Sequence, residues 1–474
     1  MKKQKLIAII IASVIALSAI GVGLWVFLPS KGKVPSNPTT QNPITPPAIE
    51  PTVPETPSVP ENPPIVEPVT KYYYNGLVEA LEAIGNDSFV NDDITTPTEQ
   101  SGVEVFIDGN DMVNIGLLKS FDLSETVQVG KDLNLILSGK TLNFSSELAM
   151  KIVDADVKIN GSESGSKVVI GGDESTTAKL FEIESGSLSI NGGQYESSTS
   201  DAGTSASPHS AIVLKSGELD FKNATITASD NNGGTIQGIN IASGCTANLS
   251  NTNVTISSKS GLEVRGVETA GTVTMSNCSI LAYSDYTAKN NNYATNSRGI
   301  YSTGTLTLKN CTVRGTHAGI TSKGALYIDG GSYSGYGHGG VYIGSEGVSS
   351  YIKNARLFDG PMPDGYIADS IAGTNGAGMY VGGASNVSVY VDNCEIEGVY
   401  YSVVMRNSGG ETNNSLYISD STLVQSRYIR TRTSSGALKV YLGLNNVIGG
   451  EKAVDYDAAK VVTETDYGTL FPEF

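Results

Sequence analysis

The sequence holds three histidines, and all three share one local setting. Each precedes a short apolar run: His209-Ser-Ala-Ile, His317-Ala-Gly-Ile and His338-Gly-Gly-Val. His317 and His338 stand in consecutive copies, so their rings should stack. A positioned imidazole can act as general acid or base. Cleaving a glycosidic bond, however, takes two carboxyl groups flanking that bond. The two apolar runs upstream of His338, Gly299-Ile-Tyr-Ser-Thr and Gly319-Ile-Thr-Ser-Lys, carry no acidic residue. No catalytic residue is therefore assigned, and His338 reads as a turn residue at the edge of a binding face.

That face is expected to carry Tyr301, Tyr342 and Tyr380, with Arg298 beside them. Tyrosine rings can stack on pyranose faces while arginine and histidine bind hydroxyls. The predicted ligand-binding set is Arg298, Tyr301, His317, His338, Tyr342 and Tyr380. The competing account is that tyrosine simply favours exposed strands. A long spacer between Ser350 and Val389 holds Asp359, Asp364 and Asp369 among Gly and Pro. Oxygen donors on such a loop are weak candidates for Ca²⁺. No calcium motif accompanies them, so no metal or cofactor is assigned and a solvated loop is the alternative.

These residues hang on a recurring phrase, apolar-x-apolar-x-Asn/Gly-small-x-apolar. It reads Leu219-Asp-Phe-Lys-Asn-Ala-Thr-Ile226, Val273-Thr-Met-Ser-Asn-Cys-Ser-Ile280, Leu306-Thr-Leu-Lys-Asn-Cys-Thr-Val313 and Val389-Tyr-Val-Asp-Asn-Cys-Glu-Ile396. Weaker copies start at Leu135, Val157, Leu188, Ala247, Leu326, Ser350, Leu416 and Val440. The mean period is about 28 residues, the range of a solenoid repeat. Alternating apolar positions mean strand. The third residue of every copy is apolar, from Leu137 through Leu308 to Leu442, and should form one inward column. The fifth is often asparagine: Asn223, Asn251, Asn277, Asn310, Asn354 and Asn393. Asparagine tolerates the left-handed conformation of a corner, and stacked amides predict an internal hydrogen-bonded ladder. A second strand precedes each copy and a third follows its corner. Cys278, Cys311 and Cys394 follow the corner asparagine, where other copies place Ala224, Thr252 or Ser421. They read as small buried thiols. Cys278 and Cys311 fall in neighbouring coils, within reach of a bridge.

The pattern resembles the pectin-lyase-like superfamily over roughly residues 110–465, asparagine ladder included. The resemblance implies a right-handed parallel β-helix of about twelve coils with three strands each. Gly337-His-Gly-Gly-Val-Tyr-Ile-Gly-Ser-Glu-Gly347 is similar to the Gly-His-Gly segment of polygalacturonase-type hydrolases, with one extra glycine. The aspartate signatures of those enzymes are missing. Lyases, hydrolases, adhesins and inert stalks all use this fold, so the resemblance speaks to fold more than to activity.

The ends and flanks complete the organisation. Lys2, Lys3 and Lys5 precede an uncharged run from Leu6 to Leu28, long enough to span a bilayer. Residues 1–28 read as an uncleaved membrane anchor with the lysines cytoplasmic and the bulk extracellular. A cleaved signal peptide ending near Ala16-Leu-Ser18 is the alternative, and either way the remainder is exported. Residues 29–70 form an extended linker, with thirteen of the eighteen prolines in 29–68. Residues 71–110 should cap the solenoid with a helix from Asn75 to Ile84, Asn75 as N-cap and Leu77, Val78, Leu81 and Ile84 facing inward. Residues 111–474 should form the solenoid, opening with a first coil over 117–127 and closing with a cap over Tyr467–Phe474. A net charge of −17 argues against nucleic acid and against an anionic membrane surface. The leading expectation is a membrane-anchored, non-enzymatic surface protein that binds a glycan or protein partner. A polysaccharide lyase or hydrolase, and a spacer without ligand, are the alternatives.

Overall fold

The structure is a computed structural model that describes residues 69–463, apart from internal segments of which 285–296, 361–375 and 449–460 are the longest. The expected anchor at Leu6–Leu28, nearly all of the proline-rich linker and the cap at Tyr467–Phe474 lie outside the described residues. No helix among the described residues is long and apolar enough to cross a membrane.

The described residues are all-β apart from one α-helix, and their strands fall into three long sheets of 16, 13 and 12 strands. Between Val113–Leu117 and Leu438–Leu442 each sheet takes every third strand in order, so the chain visits first, second and third sheet once per coil. From the strand Val113–Leu117 onward every pairing is parallel and in register, which makes a parallel β-solenoid. The repeat phrase builds the first sheet. Within Thr305–Lys309, for example, Leu306 and Leu308 are fully buried and the intervening residues are half-buried. All twelve third-position residues are buried, so the inward column exists as expected. Stacked at about 4.8 Å per coil, each buries apolar surface against its neighbours above and below. One copy slides: Leu135, not Leu137, pairs with Ile159. Leu137 stays buried because a slip of two preserves the face. Val113–Leu117 and Val461–Thr463 extend this sheet at either end without carrying the phrase.

The corner asparagines adopt left-handed backbone, with φ between 47° and 56° at Asn223, Asn251, Asn277, Asn310, Asn354 and Asn393. The expected internal ladder is instead external, because these side chains are solvent-exposed. The amides still chain together: Asn251 donates to Asn223 and Asn223 to Asn191, both at 3.3 Å, and Asn393 donates to Asn354 at 2.8 Å. The residue after each asparagine takes the inner side of the corner, which is why Cys278, Cys311 and Cys394 are buried. All four cysteines are free.

The N-terminal region differs from expectation in two respects. Lys71–Tyr74 pairs antiparallel with Val103–Ile107, which pairs antiparallel with Val113–Leu117, so two added strands, the inner one reversed, cover the open edge of the first sheet. The helix runs Leu77–Gly85 with Gly76 as N-cap, not Asn75. Glu79 closes the turn by accepting the Asn75 backbone N–H at 3.2 Å. Leu77, Ala80 and Ile84 are its buried face, and Val78 points to solvent.

Candidate functional site

The predicted ligand-binding residues lie on the outer face of the third sheet, and a break in its alternation makes the site. In Arg298–Ser302 both Gly299 and Ile300 are buried, so Arg298 and Tyr301 emerge on the same side. Gly299 permits this inward step. A Cβ there would lie 2.4 Å from Val313 Cγ1 and 2.7 Å from the Gly319 carbonyl. The preceding strand, Glu263–Thr269, repeats the step at Gly266 and presents Arg265 and Glu268 together.

Register then assembles the cluster. Arg265 pairs with Arg298, and one column runs Glu268, Tyr301, Thr321, Tyr342, Tyr380. Two guanidinium groups one coil apart need neutralising. Arg265 bonds to both Glu263 and Glu268, and Arg298 Nη1 lies 3.7 Å from Glu263 Oε1. Burial alone would depress the Arg265 guanidinium, but Glu268 and Glu263 outweigh it and raise it. Arg298 is shifted downward by burial and by Arg265. The Tyr301 ring lies 4.7 Å from the Arg265 guanidinium carbon and 5.1 Å from that of Arg298, within cation–π range of both.

Thr321 interrupts the aromatic column. Tyr301 and Tyr342 are two coils apart, about 9.6 Å at the usual strand spacing. The small Thr321 side chain between them leaves a cavity of about 360 Å³. Tyr301 and Tyr342 bound it, and Arg265, Arg298, Lys323, Glu263 and His338 complete the lining. Lys323 is exposed and has no carboxylate within ion-pair distance among the described residues. The carboxylate in the lining, Glu263, is committed to the arginines.

His317 and His338 stack as expected, edge to face with centroids 4.3 Å apart. The His338 ring also lies 5.2 Å from Tyr342 and 5.0 Å from Tyr380. Burial, with Arg298 and Arg406 adding to it, holds the His338 imidazole down at about 4. Burial, His338 and Arg298 push His317 well below its ordinary value. Both rings are neutral at physiological pH. His209 occupies the same slot but pairs with Ile236, several coils upstream, and its Nε2 lies 3.2 Å from the Ala178 carbonyl. It takes no part in the cluster.

Two expectations need correcting. Tyr380 is only 3% exposed and packs with Ala377, Tyr401 and Val404, so it offers no open stacking face. Its ring stacks on Tyr342 at 4.9 Å and 12°, which also occupies one face of Tyr342. Asp359 is not a loop residue: it ends the strand Arg356–Asp359 and is buried, while Asp364 and Asp369 lie outside the described residues. Among the described residues, no group of three or more His, Cys, Asp or Glu is arranged to hold a metal ion. Sequence reasoning missed Glu263, Glu268, Thr321 and Lys323. A signal for the first two existed in the charge spacing Glu263-x-Arg265-x-x-Glu268, which becomes meaningful only with the glycine step. No family model, curated protein or solved structure matches this chain, so geometry alone carries the functional reading.

Proposed function

We propose that this is a membrane-anchored, extracellular protein of the pectin-lyase-like, right-handed β-helix type that binds a surface glycan at the bacterial cell surface without cleaving it. The observation that carries the reading is the missing rung at Thr321. It leaves a ring-sized gap between Tyr301 and Tyr342, edged by Arg298 and Lys323. A pyranose in that gap has aromatic walls on its faces and cationic donors at its rim for hydroxyl or carboxylate groups. The carboxylates at hand, Glu263 and Glu268, are held by arginine, which favours binding over hydrolysis. The lysine-flanked apolar run at Leu6–Leu28 and the prolines after it suit display at a distance from the membrane.

The test is a glycan array with a soluble form beginning at Glu67, followed by assays for new reducing ends and for unsaturated products on every hit. Thr321→Tyr would complete the aromatic column and fill the gap. It should abolish binding while leaving the fold intact, and Tyr301→Ala should weaken binding. Polysaccharide cleavage by the unmodified protein, lost in His338→Ala, would replace this reading with that of a lyase or hydrolase. Binding untouched by Thr321→Tyr would move the site elsewhere.

A further inference from the structure

The second residue of the repeat phrase carries a feature that the glycan reading does not use. Tyr327, Tyr351, Tyr390, Tyr417 and Tyr441 occupy it in five successive coils of the first sheet. Upstream the same column holds Thr274 and Thr307, so the array belongs to the C-terminal coils. The rings face outward, half-buried, and form one continuous stack. Successive centroids are 5.7, 5.0, 4.6 and 4.5 Å apart, with planes inclined by 7°, 10°, 5° and 4°. Because the rings stack along the solenoid axis, the inner ones spend their faces on each other. A sugar ring cannot lie against them, and what they offer solvent is ring edges and phenol groups. Mutual stabilisation accounts for a stack, at about 0.5–1.5 kcal/mol per pair. The same arrangement also places the ring carbons ortho to each hydroxyl alongside those of the next phenol, which is the geometry of radical coupling.

We propose that this stack is an oxidative cross-linking site that joins neighbouring coils through dityrosine, with Tyr417–Tyr441 the first pair to couple. The oxidant is hydrogen peroxide acting through a haem peroxidase. It removes one electron and one proton from each of two phenols, and the peroxide is reduced to two waters. The two phenoxyl radicals join through a carbon–carbon bond between ortho positions. Each ortho hydrogen then moves to its own ring oxygen, which restores both phenols. Tyr417 and Tyr441 form the closest and most nearly parallel pair. A radical formed anywhere in the stack has an unbroken series of ring contacts leading to them. All four cysteines are free and buried, so the described coils have no disulfide between them. A dityrosine would bolt the strand Asn414–Ser419 to Leu438–Leu442 in the C-terminal part of the first sheet.

The experiment treats the full chain, in detergent micelles, with a haem peroxidase and limiting hydrogen peroxide, then maps cross-linked peptides by mass spectrometry. The expected product is a monomeric chain lighter by two hydrogens, with Tyr417 joined to Tyr441. Tyr441→Phe preserves the ring stack and should eliminate that peptide, moving coupling to Tyr390–Tyr417. The same treatment in concentrated urea should lose the preference for these pairs. Three results would overturn the proposal: dityrosine formed only between chains, coupling spread evenly over tyrosines outside this column such as Tyr72 and Tyr73, or the same product pattern from the unfolded chain.

Discussion

Ser350 offers a sharp test of the solenoid interior. It occupies the first position of the repeat phrase, where its column neighbours are Leu326 and Val389. The residue is completely buried, and its Oγ has no hydrogen-bond partner among the described residues. Burying an unsatisfied hydroxyl costs about 1–3 kcal/mol. Ser350→Ala removes that group and little volume, so the cavity it adds is small. The net expectation is a gain of about 1 kcal/mol, taken at the low end of the range to allow for the lost contacts. Valine would match Val389 more closely, but two added methyl groups in a packed column risk a strain of about 1–3 kcal/mol, so alanine is the cleaner probe. The assay is urea unfolding followed by far-ultraviolet circular dichroism. The midpoint should rise with no change in slope. Hydrogen exchange should slow at Ile352 and Val389, because a solenoid reports stability locally. A lowered midpoint in Ser350→Ala would mean that the hydroxyl is bonded in the folded state and that the account of this column is wrong.

Other outcomes follow from the same physics. Leu308→Asp places a charge in the inward column, where Met275 and Ile328 are its rung neighbours, and should abolish folded protein; normal yield with an unchanged β spectrum would refute the register. Asn393 has φ 47°, so Asn393→Gly should be tolerated while Asn393→Ala costs about 1–2 kcal/mol; equal effects in urea titrations would show that backbone conformation is not what the corner selects. Burial by itself raises the Glu182 carboxyl, but Lys215 and Lys179, at 2.9 and 3.0 Å, outweigh it and hold it at about 2. Its folded value lies below its ordinary 4.5, so this contribution is complete above pH 4.5 and lost as pH falls towards 2. Glu182→Gln should therefore flatten the stability profile across that window, and an unchanged acid limb would sink the assignment. The His338 imidazole should titrate near 4, so its ring proton resonances should stay constant from neutral pH down to about one unit above that; a midpoint near 6.5 would place the ring in solvent.

Local chemistry made the repeat legible. A period-two apolar pattern returning every coil, with asparagine or glycine at each corner, specifies stacked parallel strands because no other arrangement buries every third-position side chain at once. The left-handed φ at Asn223, Asn310 and Asn393 was likewise readable from residue type alone. The stack of His317 on His338 followed from their shared slot. What the sequence could not decide was which surface each polar residue meets, because that depends on where the backbone steps out of alternation. The glycine step at Gly266 and Gly299 turns Arg265 and Arg298 over the Tyr301 ring, a contact that the residue types hint at but that only the step itself creates. Tyr380 reads as exposed by parity, yet Ala377, Tyr401 and Val404 pack around it. The corner amides read as an internal ladder, yet the tight left-handed turn points them to solvent and gives the interior to the cysteine that follows. The gap at Thr321 exists only because register places one small residue between two tyrosines from different coils. Periodicity fixed the scaffold by local preference and burial, whereas the site depended on rung-to-rung distances that only the stacked coils set.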